Sequence, residues 1–170
     1  RIRRAQCRAS LSINRELIVL YWSIGREIFE KQAAAGWGTK FIPKLSKDIR
    51  SEFPGLKGFS KTNISRMLAF YTAYPIFPQA VGKLDAKPNK NIITDVASKH
   101  AEGLKVELSK LALSLPWGHN ILLIEKVKDE KARLWYMKQA FRQGMSRNIL
   151  ATHIKSDLFN RKGKAVSNLE

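Results

Sequence analysis

Two matching tetrapeptides constrain this chain more than any other feature. Gly58-Phe59-Ser60-Lys61 and Gly144-Met145-Ser146-Arg147 each stand before a segment whose apolar residues recur at helical spacing. In each, Gly ends the preceding element, the apolar residue can staple onto the new helix, and Ser is placed to cap its orphan N–H groups. A basic residue then occupies the first turn, where a cation works against the helix macrodipole. Local helix stability does not select that residue; an anionic partner would.

The same spacing of three and four runs along the chain. Over 2–35, Ile13, Leu17, Tyr21, Ile24 and Ile28 fall on one face, with Arg15, Glu16, Arg26, Glu27 and Glu30 opposite. Gly36-Trp37-Gly38 stops this helix. Thr39 is expected to cap a second one, to about Phe53, with Ile42, Leu45 and Ile49 as its stripe and Pro43 early enough to be tolerated. Pro54-Gly55-Leu56-Lys57-Gly58 reads as a turn, and a third helix over 61–74 is ended by Pro75. It sets Ile64, Met67, Leu68 and Tyr71 inward and Thr62, Ser65, Arg66, Ala69 and Ala73 outward.

Pro75, Pro78, Gly82 and Pro88 mark 75–91 as loop or linker. A helix over 92–113, broken near Gly103, precedes the punctuation Leu115-Pro116-Trp117-Gly118-His119-Asn120. Helices over 121–127, 129–143 and 147–160 follow. The last packs Leu150, Ile154 and Leu158 and turns Asn148, Thr152, Ser156 and Phe159 outward. An ungapped offset of 86 residues lays Ile64 over Leu150 and Leu68 over Ile154. No strand pattern of useful length appears. The expected class is all-α, with one or two helix-turn-helix units and room for a small hairpin wing in 76–95. Three segments are expected: 1–75 with the long helix and first unit, 76–114 as a linker or insert with a helix, and 115–170 with the second unit.

Charge narrows the partner. Thirty-one Lys and Arg against fourteen Asp and Glu give a formal charge of +17, which points to nucleic acid before an anionic membrane face. The surplus is +9 over 1–75 (14 basic, 5 acidic) and +6 over 121–170 (11 and 5), against +2 over 76–120 (6 and 4). It therefore sits on the segments that hold the two tetrapeptides. The single Cys7 rules out an internal disulfide and suits a reducing, cytoplasmic setting. No apolar run approaches the roughly 18 residues of a membrane span, so no membrane partner is expected. The chain begins at Arg1 without Met, and Leu169-Glu170 resembles the residue of a purification tag; both suggest part of a longer protein.

Metal-dependent cleavage of nucleic acid needs converging acids. The two D-x-K spacings, Asp85-Ala86-Lys87 and Asp129-Glu130-Lys131, do not supply them. Asp85 lies among prolines, and acids at a helix start such as Asp129-Glu130 suit the macrodipole. Three His and one Cys are too scattered for zinc. No catalytic residue, metal site or cofactor is expected in this chain. His100 and His153 read as surface or boundary side chains, and His119 as a partly buried capping residue. Trp22, Trp37, Trp117 and Trp135 have apolar neighbours and read as core or junction residues. Arg1, Arg3, Arg4 and Arg8 form either a phosphate-tracking arm or a solvated helix end.

A resemblance rests on a set of motifs. Asn14-Arg15-Glu16-Leu17-Ile18, Tyr21-Trp22-Ser23-Ile24-Gly25, Gly36-Trp37-Gly38, Leu45-Ser46-Lys47-Asp48-Ile49-Arg50, Phe53-Pro54-Gly55 and Gly58-Phe59-Ser60 to Tyr74-Pro75 carry it, with 115–120 and the closing 161–168. Together they resemble the N-terminal domain of the YhcG-like family, once catalogued only as a domain of unknown function; 76–113 fits less well. The resemblance implies a winged or helix-turn-helix DNA-binding module ahead of a PD-(D/E)XK nuclease domain, with any divalent metal in that later domain.

Residues and resemblance together predict a DNA-binding, substrate-positioning domain whose partner is duplex DNA. Ser60 and Ser146 cap helices whose N–H groups face phosphate. Lys57, Lys61, Arg147, Lys155, Arg161, Lys162 and Lys164 supply phosphate charge, and Thr62, Asn63, Ser65, Arg66, Asn148 and Thr152 reach base edges. The alternatives are a helical protein-interaction or dimerisation module whose first long helix pairs with a partner, a second copy in the homodimer case, and an enzyme that uses the D-x-K residues as ligands.

Overall fold

The computed structural model describes residues 2–35, 41–75 and 96–166, with side chains over 12–33, 41–75 and 102–162. Among the described residues the protein is all-α, with no strand. The helices are α1 (Ile2–Ala35), α2 (Phe41–Glu52), α3 (Lys61–Ala73), α4 (Val96–Ser114), α5 (Trp117–Lys126), α6 (Glu130–Gln143), α7 (Arg147–Lys155) and α8 (Leu158–Val166). None of them is long and apolar enough to cross a membrane. The Thr39 cap, Trp37 and the wing expected in 76–95 lie outside the described residues. The backbone sorts into two compact units, Glu16–Pro75 and Arg1–Arg15 with Ile76–Glu170.

In the unit Glu16–Pro75, α2 packs on α3 and α1 supplies the aromatic floor. The buried stripe of α1 is Ile18, Tyr21, Trp22, Gly25 and Ile28, turned by about one residue from the expected face. Leu17 is 37% exposed and Ile13, on the part of α1 that belongs to the other unit, 70%; neither is a core residue. Gly25 explains the shift. A Cβ there would stand 2.7 Å from the carbonyl carbon of Met67 and 3.0 Å from the Cβ of Tyr71, so α1 and α3 meet backbone to backbone. Glycine carries no hydropathy signal, and the true centre of the contact is therefore invisible to periodicity. Around it Trp22 donates through Nε1 to Tyr74 O at 2.8 Å, with its ring edge-on to Tyr71 at 5.2 Å. Ile64, Met67, Phe70 and Tyr74 form the inward face of α3, with Leu68 and Tyr71 half-buried at its margin.

The unit of Arg1–Arg15 with Ile76–Glu170 centres on α4 against α6, with α5 against α6 and α7. Its core includes Leu108, Ala112, Leu123, Met137 and Leu150. Three expectations are corrected here. First, α4 runs unbroken through Gly103, whose cost of about 1 kcal/mol in a helix interior is outweighed by burying Leu108, Ala112 and Leu113 on the same helix. Second, α5 begins at Trp117, four residues before the apolar run. Polar His119 and Asn120 occupy its inward face and hide its start from a hydropathy reading. Third, α7 stops at Lys155. Asp157 turns to φ +50°, a conformation Asp tolerates better than most residues, and α8 starts in a new phase. Phe159 consequently packs beside Trp135 at 5.8 Å and Tyr136 at 6.5 Å instead of facing outward.

Candidate nucleic-acid interface

The two helix starts are built alike. Ser60 and Ser146 have φ, ψ of −67°, 155° and −68°, 159°, and each hydroxyl accepts from the N–H three residues on, Asn63 at 3.2 Å and Ile149 at 3.3 Å. Gly58 at φ +98° and Gly144 at φ +58° turn the chain in a way other residues resist. Phe59 and Met145 are buried behind them, and Ile64 and Leu150, one turn in, are both fully buried. Ser60, Lys61, Ser146 and Arg147 stay exposed.

Different clasps hold the two starts. At α3, Asn63 donates to Gly58 O at 2.6 Å and bonds the Tyr21 phenol, which burial pushes above its ordinary pKa. The Tyr21 hydroxyl lies 2.9 Å from where a Gly58 Cβ would stand. Asn63 is thus engaged within the turn. Beneath it the buried Ser46 of α2 donates to Phe59 O at 2.9 Å.

At α7 the work is done by the segment 115–120. His119, 8% exposed, donates from Nε2 to Met145 O at 2.8 Å, which fixes the residue just before the Ser146 cap. The Cδ of Arg147 lies 3.3 Å from where a Gly118 Cβ would stand, so Arg147 crosses the first turn of α5 over a position with no side chain. Asn120 donates to Ala112 O at 2.9 Å and Leu115 O at 3.2 Å, and Asn14 also reaches Leu115 O, at 3.1 Å; these bonds satisfy carbonyls at the end of α4. His119→Ala leaves the Met145 carbonyl unpaired and is expected to cost about 2 kcal/mol in a denaturant titration. His119→Gln, whose amide can donate to the same oxygen, should recover part of the loss.

The remaining predicted positions divide plainly. Lys57, Lys61, Thr62 and Ser65 are exposed and Arg66 half-buried around the α3 start. Ser65 and Thr152 bond back to Lys61 O and Asn148 O, at 3.0 and 3.1 Å. Asn148 is exposed near the start of α7. Lys155 stands in its last turn, where a cation complements the macrodipole, and exposed Arg161 and Lys162 lie on α8 beyond the Asp157 break. Lys164 is on α8, its side chain outside those described. Asp129 caps α6 by accepting from Ala132 N at 2.7 Å, and Asp85 lies outside the described residues. No group of three or more His, Cys, Asp or Glu among the described residues is placed to hold a metal ion. Sequence reasoning passed over the cations of α2, Lys44, Lys47 and Arg50, although their three-residue spacing sets them along one side of that helix.

Among the described residues the fold is that of a small all-α domain with two Ser-capped helix N-termini, each opened by a cation. The chain belongs to the family described as the DUF1016 N-terminal domain, whose model matches residues 1–161. This is the YhcG-like N-terminal domain of unknown function that the sequence motifs resemble. Comparison with curated proteins and with solved structures returns no match.

Proposed function

We propose that this chain is a DNA-binding, substrate-positioning domain that serves a PD-(D/E)XK nuclease domain of the same protein. The observation that carries the reading is the pair of capped, exposed helix starts whose first residue, Lys61 or Arg147, opposes the macrodipole in a chain of charge +17. Phosphate at those N–H groups would turn that cost into attraction. In this reading Thr62, Ser65 and Arg66 of α3 meet base edges, while Asn63 shapes the turn.

The chain should bind duplex DNA with an affinity that falls steeply with salt, and should leave it uncut in Mg²⁺ or Mn²⁺. Lys61→Ala should weaken all duplexes alike and flatten the salt slope by about 1. Arg66→Ala should cost about 1–3 kcal/mol on a preferred site and much less on random DNA. If both variants bind every duplex as the parent does, α3 does not read DNA. A second reading, a dimerisation module, has one observation behind it: Leu17 and Leu20 lie three residues apart on α1, 37% and 48% exposed. A concentration-dependent dimer indifferent to DNA would move that reading ahead.

A further inference from the structure

The α2–α3 pair encloses an open groove of about 490 Å³ lined by Pro43, Lys44, Ser46, Lys47, Arg50 and Lys61. Four of the six lining side chains are cationic and none is acidic. All four cations are exposed. Elsewhere, the groove of about 320 Å³ between α4 and α6 holds three cations, Lys110, Lys138 and Arg142, and one acid, Glu107, which pairs with Lys138 at 2.7 Å. A step of about 100° per residue sets Glu52 of α2 away from the Lys44–Lys47–Arg50 side; Asp48 stands one turn beyond Lys44, at the margin of that side, and neither acid lines the groove.

Helix energetics do not account for this placement. Arg50, in the last turn of α2, complements the macrodipole, but Lys44 in the first turn of α2 and Lys61 at the start of α3 both oppose theirs. The like-charge i,i+3 pairs Lys44–Lys47 and Lys47–Arg50 repel as well, and the i,i+4 spacing of Lys44 with Asp48 offsets only part of that. The floor is fixed, because the Ser46 hydroxyl is bonded to Phe59 O and ties α2 to the turn that delivers Lys61. The groove is therefore a preset concentration of positive charge contributed by two helices. No aromatic side chain lines it, so base stacking has no platform there, and its chemistry suits phosphate rather than bases.

We infer that this groove seats the sugar–phosphate backbone of duplex DNA, with Lys44, Lys47 and Arg50 of α2 holding the strand whose phosphates Lys61 meets at the start of α3. The inference rests on the DNA-binding reading above and adds to it a second helix. In that arrangement α2 lies along the backbone while the outward face of α3 addresses the bases.

The test is fluorescence anisotropy of the full chain with a random-sequence duplex across a salt series. Its variants are Lys44→Ala/Lys47→Ala/Arg50→Ala, the charge-preserving Lys44→Arg/Lys47→Arg/Arg50→Lys, and Lys47→Ala alone. The alanine triple should bind at least about tenfold more weakly at low salt and flatten the slope of log K against log salt by about 3. Lys47→Ala should flatten it by about 1, and the charge-preserving triple should keep the parent slope. If the parent binds with a steep salt slope and the alanine triple matches it, the groove inference is overturned while the DNA-binding reading stands. If the parent binds no duplex, or binds phosphatidylserine vesicles and no DNA, both fall. Circular dichroism melting of each variant beside the parent checks that the folded state is unchanged, and the single Lys47→Ala carries the test should the triple melt early.

Discussion

Gly25→Ala is expected to destabilise the protein by about 3 kcal/mol, at the upper end of what overpacking a well-filled core costs. The new methyl group would fall against the Met67 carbonyl group, which is backbone and cannot rotate aside. Relief requires α3 to move from α1, and the surrounding contacts resist it: the Trp22 to Tyr74 hydrogen bond and the Trp22–Tyr71 and Phe29–Tyr71 ring pairs at 5.2 and 5.3 Å. Denaturant titration measures the loss. On the proposed DNA-binding reading, affinity for duplex should also fall beyond what the unfolded fraction explains, because Lys61, Thr62 and Arg66 all ride on α3. A stable Gly25→Ala variant with parental binding would show that the two helices are not locked at this point.

An effect of similar size, about 3 kcal/mol, is expected for Arg133→Met, since hydrogen bonds from charged donors are worth more than neutral ones and their loss strands a buried acceptor. Arg133 is 6% exposed, and its Nε and Nη2 both donate to Val127 O, at 3.0 and 2.9 Å. Val127 is the C-cap of α5, so the guanidinium sits where the helix collects negative partial charge. Arg133→Lys should recover only part, because one ammonium cannot reproduce the two-pronged contact. A cost for Arg133→Met under about 1 kcal/mol in the same titration would show that the packed stem of the side chain, and not its donors, holds this junction.

Much of the fold was legible wherever local chemistry decides. Ser60, Asp129 and Ser146 cap the helices their spacing predicts, and Ile64 and Leu150 occupy the same buried place after the two matching tetrapeptides. What escaped were contacts settled by distant parts of the chain. The stripe of α1 is set by a glycine at a backbone contact, and the first turn of α5 buries polar residues because His119 and Asn120 find carbonyls 26 and 8 residues away. Asp157 breaks the last helix without a Gly or Pro to announce it. Of the candidate interface, the helix starts could be read directly. The Lys44–Lys47–Arg50 side of α2 could not, because its meaning depends on Lys61 arriving across the groove.

The bond from His119 to Met145 O has a consequence for the ring itself. A carbonyl oxygen only accepts, so Nε2 must carry the hydrogen. The tautomer with its hydrogen on Nδ1 alone would break the bond, so the contact that holds Met145 also selects the form of the ring. The start of α7 is thereby pinned from a neighbouring helix: the residue just before the Ser146 cap, with Arg147 beyond it, takes its position from α5 as well as from its own turn.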